Sequence, residues 1–165
     1  MNLICYIDGA SKGNPGPAGI GVFITTESGD ELIRMSKSIG IATNNVAEYK
    51  ALILALEQVN KLIHLPVLTH PTEHNIEIRS DSELLVKQMR GEYRLKNPTL
   101  AQLAAKAHKL LQFGDVAHLG DVTHLGDVTH PKIFRTVKFV HILRKYNKIA
   151  DGLANIGVSL EKSEK

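Results

Sequence analysis

Glu48 sits on the apolar stripe of a helix, at a position where a packed helix has no structural use for a charge. Residues 45–63 carry Val46, Leu52, Ala55, Leu56, Val59, Leu62 and Ile63 at helical spacing. Steps of four and seven from Glu48 reach Leu52 and Ala55, so the acid shares the face that this helix must bury. Three more carboxylates stand in comparable places. Asp8 ends the strand-like run Leu3-Ile4-Cys5-Tyr6-Ile7 and opens a glycine-rich turn. Asp81 follows directly on Ile76-Glu77-Ile78-Arg79-Ser80. Asp151 lies in Asn147-Lys148-Ile149-Ala150-Asp151-Gly152, near the start of the last helix. Carboxylates on inner faces and ends of buried elements lose hydration and repel one another, and a chain tolerates this mainly when a cation compensates the charge. Oxygen donors without cysteine or histidine at ligand spacing select a hard divalent ion such as Mg²⁺ over zinc. Any one of these acids alone reads as a cap or a surface carboxylate; four convergent ones outweigh that reading.

The periodicity places the acids on elements. Residues 2–8, 20–26 and 31–39 read as strands, with a turn at 9–19 and a hairpin at Glu27-Ser28-Gly29-Asp30. The helix at 45–63 is capped by Asn44 or Asn45, and a loop with three histidines, His64, His70 and His74, fills 64–75. A strand at 76–80, helices at 82–90 and 99–112, a strand at 134–142 and a helix at 147–157 complete the order βββαβααβα. That order suggests an α/β fold with one mixed sheet and helices packed on its faces. Asp8 and Asp81 then lie at the carboxyl ends of adjacent strands, the edge where open α/β sheets collect ligands.

A chain of 165 residues, 43% hydrophobic, supports one domain, expected at 1–160 with a polar tail at 161–165. The formal charge of +3 permits a polyanionic partner without demanding one. Cys5 is the only cysteine, which excludes an intrachain disulfide, and its apolar strand predicts burial. A charged segment followed by an apolar one is missing at the amino end, and no apolar run approaches the roughly 18 residues of a membrane span. We therefore expect no signal peptide, no membrane association, no obligate protein partner and a reducing, cytoplasmic compartment.

Four stretches carry a family resemblance. They are Tyr6-Ile7-Asp8-Gly9-Ala10-Ser11-Lys12-Gly13-Asn14-Pro15-Gly16, Thr43-Asn44-Asn45-Val46-Ala47-Glu48-Tyr49, Arg79-Ser80-Asp81-Ser82-Glu83-Leu84-Leu85-Val86, and His141-Ile142-Leu143-Arg144-Lys145-Tyr146-Asn147-Lys148-Ile149-Ala150-Asp151. In this order and spacing the chain resembles type 1 ribonuclease H. The resemblance implies the ribonuclease H-like mixed five-stranded sheet, ordered 3-2-1-4-5. It implies an endoribonuclease that hydrolyses the RNA strand of an RNA–DNA hybrid duplex and leaves 5′-phosphate and 3′-hydroxyl ends. By the same resemblance Asp8, Glu48, Asp81 and Asp151 hold two Mg²⁺ ions, for which Mn²⁺ substitutes, and Gly13, Asn14, Thr43, Asn44 and Asn45 contact the hybrid. Arg144 and His141 are both candidates for an assisting basic residue, and Arg144 is preferred because His141 falls inside a strand-like run. Gly91–Pro98 is too short for a basic helical handle, which matches the handle-less archaeal and bacterial branch. Glu83 stands where the family commonly carries a hybrid-contacting glutamine. Two other readings compete: a catalytically weak nucleic-acid-binding module of the same fold, and a related DNA-processing nuclease. The full set of acids argues against the first and the asparagine-rich motif against the second.

Residues 114–133 contain Gly114-Asp115-Val116-Ala117-His118-Leu119, Gly120-Asp121-Val122-Thr123-His124-Leu125 and Gly126-Asp127-Val128-Thr129-His130-Pro131. Three copies of a six-residue period are too few for a stable β-helical stack. A tandem duplication tolerated in a loop is the preferred reading, with transition-metal binding by the histidines as the alternative.

Overall fold

The computed structural model describes residues 1–63, 74–113 and 134–160. In chain order the elements are β1 (Asn2–Ser11), β2 (Gly16–Thr26), β3 (Glu31–Ala42), α1 (Asn44–Ile63), β4 (His74–Ser80), α2 (Glu83–Met89), α3 (Pro98–Phe113), β5 (Phe134–His141), a single 3-10 turn at Arg144–Tyr146 and α4 (Lys148–Leu160). The five strands form one sheet in the order β3-β2-β1-β4-β5. β1 pairs antiparallel with β2 and parallel with β4, and β5 continues parallel to β4. The expected fold class and strand order are those observed.

Two glycines explain how the helices come so close to this sheet. A Cβ on Gly9 would lie 2.3 Å from the backbone of Ala47 and Glu48 in α1. A Cβ on Gly21 would lie 2.2 Å from the Ala150 carbonyl oxygen in α4. Gly9 pairs with Ile20 and Gly21 with Asp8, so the two glycines occupy alternate positions of the ladder and look to opposite faces. α1 therefore covers one face and α4 the other. Between α1 and the sheet, Cys5, Ile7, Val22, Ile24, Leu52, Leu56 and Ile78 are among the fully buried side chains.

The element boundaries differ from expectation in one informative way. The segment 9–19, expected as a turn, is mostly strand: β1 runs to Ser11, β2 starts at Gly16, and the ladder continues to Ser11↔Ala18. Its glycines mark close helix approach as well as a turn, and composition alone does not separate the two. Asp8 accordingly sits inside β1 rather than at its end. β3 extends to Ala42, and α4 reaches Leu160 after the 3-10 turn. His74, expected in a loop, is the buried first residue of β4 and pairs with Phe134. His64, His70, the 114–133 repeat and the 161–165 tail lie outside the described residues.

Candidate active site

The β1–β4 ladder is recorded as far as Tyr6↔Arg79. Carrying that register forward two residues brings Asp8 level with Asp81, at the carboxyl end of β4. α1 then delivers Glu48 from the side, because the missing Cβ of Gly9 lets the backbone of Ala47 and Glu48 press against β1. Carboxylate oxygens of Asp8, Glu48 and Asp81 all lie within 4.8 Å of one another. Asp151, in the first turn of α4, joins them along a cleft of about 360 Å³ that is also lined by Ser11, Asn44, Ser82, Arg144 and Asn155.

The electrostatics follow from burial and crowding. Asp8 is 5% exposed and Glu48 4%. Burial raises the Asp8 carboxyl to about 7, and the neighbouring charges of Asp81 and Asp151 push in the same direction. Glu48 is raised well above its ordinary value, first by burial and then by Asp8 and Asp81, while the Gly9 N–H works against the rise. The remaining Glu48 oxygen, Oε2, is buried and has no hydrogen-bond partner among the described residues. Arg144 is the one cation among the described residues lining the cleft. Its guanidinium bonds Asp151, and this contact, ahead of the charges of Asp8 and Asp81, raises the arginine further. The donor set is all oxygen, it is undercompensated, and one buried oxygen is orphaned. These properties fit a hard divalent cation.

The start of α1 shows why several polar residues were hard to assign from sequence. The helix is capped by Thr43, whose Oγ1 accepts from the Val46 N–H at 3.3 Å, and not by Asn44 or Asn45. The Asn14 side chain accepts from the Asn44 N–H at 3.1 Å, which docks the 12–15 turn on the helix start. Gly13 holds φ of +96° at the head of that turn. Gly13, Asn14, Asn44 and Asn45 are thus neighbours on an exposed rim, although only Asn44 lines the cleft itself. His141 ends β5, opposite Ser80, and is exposed; it is not among the cleft-lining residues.

Asn147 was not singled out by sequence reasoning. It is 1% exposed, and its Nδ2 donates to the Ile7 carbonyl at 2.9 Å and to Asp81 Oδ1 at 3.1 Å. Two partners 140 and 66 residues away leave no local signature. The only available cue was its place inside the motif that ends at Asp151.

A five-stranded mixed sheet in this order, with acids from β1, from just past the end of β4 and from two helices gathered at one strand edge, defines the ribonuclease H class of fold and site. The chain belongs to the RNase H family, whose model matches residues 1–159. It is 34% identical over 150 residues to the ribonuclease HI of Halobacterium salinarum, covering 91% of this chain and 61% of that protein. It is 35% identical over 156 residues to the bifunctional protein Rv2228c of Mycobacterium tuberculosis, covering 94% of this chain but 35% of that protein. The chain thus spans about a third of the length of the first curated relatives it matches. Among solved structures, it superposes on LC11-RNase H1 in complex with an RNA/DNA hybrid with a TM-score of 0.75 and 39% identity, over 99% of each chain.

Proposed function

We infer that this chain is a ribonuclease H that hydrolyses the RNA strand of RNA–DNA hybrids, through a single domain spanning residues 1–160. The observation that carries the reading is the trio Asp8, Glu48 and Asp81, with oxygens within 4.8 Å and an orphaned Glu48 oxygen, at the family's strand edge. The hybrid bound to the similar LC11 protein supports the choice of substrate. In this reading Asp8, Glu48, Asp81 and Asp151 hold two Mg²⁺ ions, and Mn²⁺ replaces them. When bound, such ions activate a water and offset charge on the departing 3′ oxygen.

The chain's own groups supply positioning and specificity. Asn14, Asn44 and Asn45, exposed on one rim, are placed to read the 2′-hydroxyls that distinguish RNA from DNA. The turn at Gly13 brings backbone amides near the same rim, and Thr43 contacts a phosphate of the DNA strand while capping α1. Arg144 keeps its charge at any working pH and sits at the cleft mouth, 73% exposed, where it stabilises charge on the reacting phosphate. The buried, lone Cys5 accords with a reducing, cytoplasmic setting. No helix among the described residues is long and apolar enough to cross a membrane.

A gel assay with matched RNA–DNA, RNA–RNA and DNA–DNA duplexes, with and without Mg²⁺, tests the reading. Cleavage confined to the RNA strand of the hybrid, and only with Mg²⁺, is expected. Equal cutting of a DNA duplex, or none of any duplex, refutes it.

A further inference from the structure

We propose that Asn147 is the positioning residue of the acid site: its neutral amide fixes Asp81 against β1 so that Asp8, Glu48 and Asp81 converge before any cation arrives. The inference rests on the reading of this cluster as a metal site. Asn147 sits where β1 and β4 part, just beyond the last recorded pair, Tyr6↔Arg79. One Nδ2 proton goes to the Ile7 carbonyl at 2.9 Å, directly before Asp8 in the chain, and the other to Asp81 Oδ1 at 3.1 Å. Its own carbonyl accepts from the Asp151 N–H at 3.0 Å, closing the first turn of α4. A single side chain and its backbone thereby tie together the segments that carry three of the four acids.

The chemistry singles out an asparagine. Both partners of the amide are pure acceptors, so the Nδ2 orientation is dictated: with the amide reversed, Oδ1 would face a carbonyl and a carboxylate. The reversed group, Oδ1, has no partner among the described residues, a sign that the position is set by the two donor bonds. A lysine or arginine here would orient Asp81 but also neutralise it and compete with the cation. An aspartate would donate nothing and add a fifth negative charge. A neutral double donor orients the carboxylate and leaves its charge for the metal, as partners of metal ligands generally do.

Two measurements that use no hybrid test this. The first is calorimetric Mn²⁺ titration of the purified chain, its Asn147→Ala and Asp81→Asn variants and the double variant, each checked for folding by thermal melt. We expect Asn147→Ala to weaken Mn²⁺ binding about tenfold or more, and to cause no further loss in the Asp81→Asn background. The second is ¹⁵N NMR of the Asn147 side-chain amide in the unmodified protein, which holds even if Asn147→Ala fails to fold. Slowly exchanging protons whose resonances move on Mg²⁺ addition, and do not move in Asp81→Asn, are expected. Unchanged Mn²⁺ affinity in a folded Asn147→Ala, an equal loss in both backgrounds, or amide protons that exchange as freely as those of a surface asparagine overturns the proposal. Since hybrid cleavage is not among the readouts, failure of the substrate reading leaves these outcomes decisive.

Discussion

Burial and the charges of Asp81 and Asp151 raise the Asp8 carboxyl from 3.8 to about 7, which links the stability of the metal-free protein to pH. The native pKa lies above the unfolded one, so the folded state holds the extra proton. The stability from this group is complete below pH 3.8 and is lost as pH rises through about 7. A shift of this size corresponds to at most about 4 kcal/mol. Asp8→Asn is therefore expected to raise the melting temperature of the metal-free protein at pH 8, by roughly 2–4 °C for each kcal/mol recovered, and to leave it nearly unchanged at pH 4. Calorimetric scans at the two pH values check this, and an equal shift at both contradicts it. The same variant should lose hybrid cleavage. At the cleft mouth, Arg144→Ala should slow single-turnover cleavage about 10²-fold. His141→Ala, altering an exposed strand end, should cost about threefold or less on the scale of surface changes. A larger loss for His141→Ala reverses the assignment of the assisting group.

At the scale of elements, the site depends on helices that lie unusually near the sheet. Gly9→Ala puts a methyl group 2.3 Å from the α1 backbone, which forces α1 outward and carries Glu48 away from Asp8. We expect a loss of about 1–3 kcal/mol in denaturant unfolding, together with weakened Mn²⁺ binding. Stability lost with metal affinity intact would show that the close approach serves packing alone. Thr43 stands apart from this. Its Oγ1 caps α1, so Thr43→Ala should cost about 1 kcal/mol while Thr43→Ser, which keeps the hydroxyl, should not.

For the whole molecule, the described residues that line the cleft come from segments 8–11, 44–48, 81–82 and 144–155. The repeat at 114–133 lies outside the described residues, and none of the four motifs that carry the acids includes it. Replacing residues 115–132 by a short glycine-containing turn between α3 and β5 should preserve Mg²⁺-dependent hybrid cleavage. A folded deletion protein that no longer cleaves would make the repeat a substrate-binding element. Hybrid affinity of the Asp8→Asn protein should fall with rising salt, since a chain of net charge +3 must grip phosphate through lysine and arginine contacts that release counterions. A flat response in a salt-series titration contradicts this.

The chain by itself determined which segments become strands and helices and which four acids are anomalous. Both properties are local. The apolar period of 45–63 declares a buried face, and a glutamate on that face is conspicuous without any knowledge of what it meets. Only the tertiary structure decided how far the strands run, because Gly9 and Gly19, which fall in the segment read as a turn, lie in strands and serve to admit α1 and α4. It alone placed Asn14 on the start of α1, Arg144 on Asp151 and Asn147 between Ile7 and Asp81. Those bonds join residues 7 to 140 positions apart. A polar side chain's role there is set by which distant donor or acceptor folding delivers to it, and that partner leaves no periodicity in the sequence.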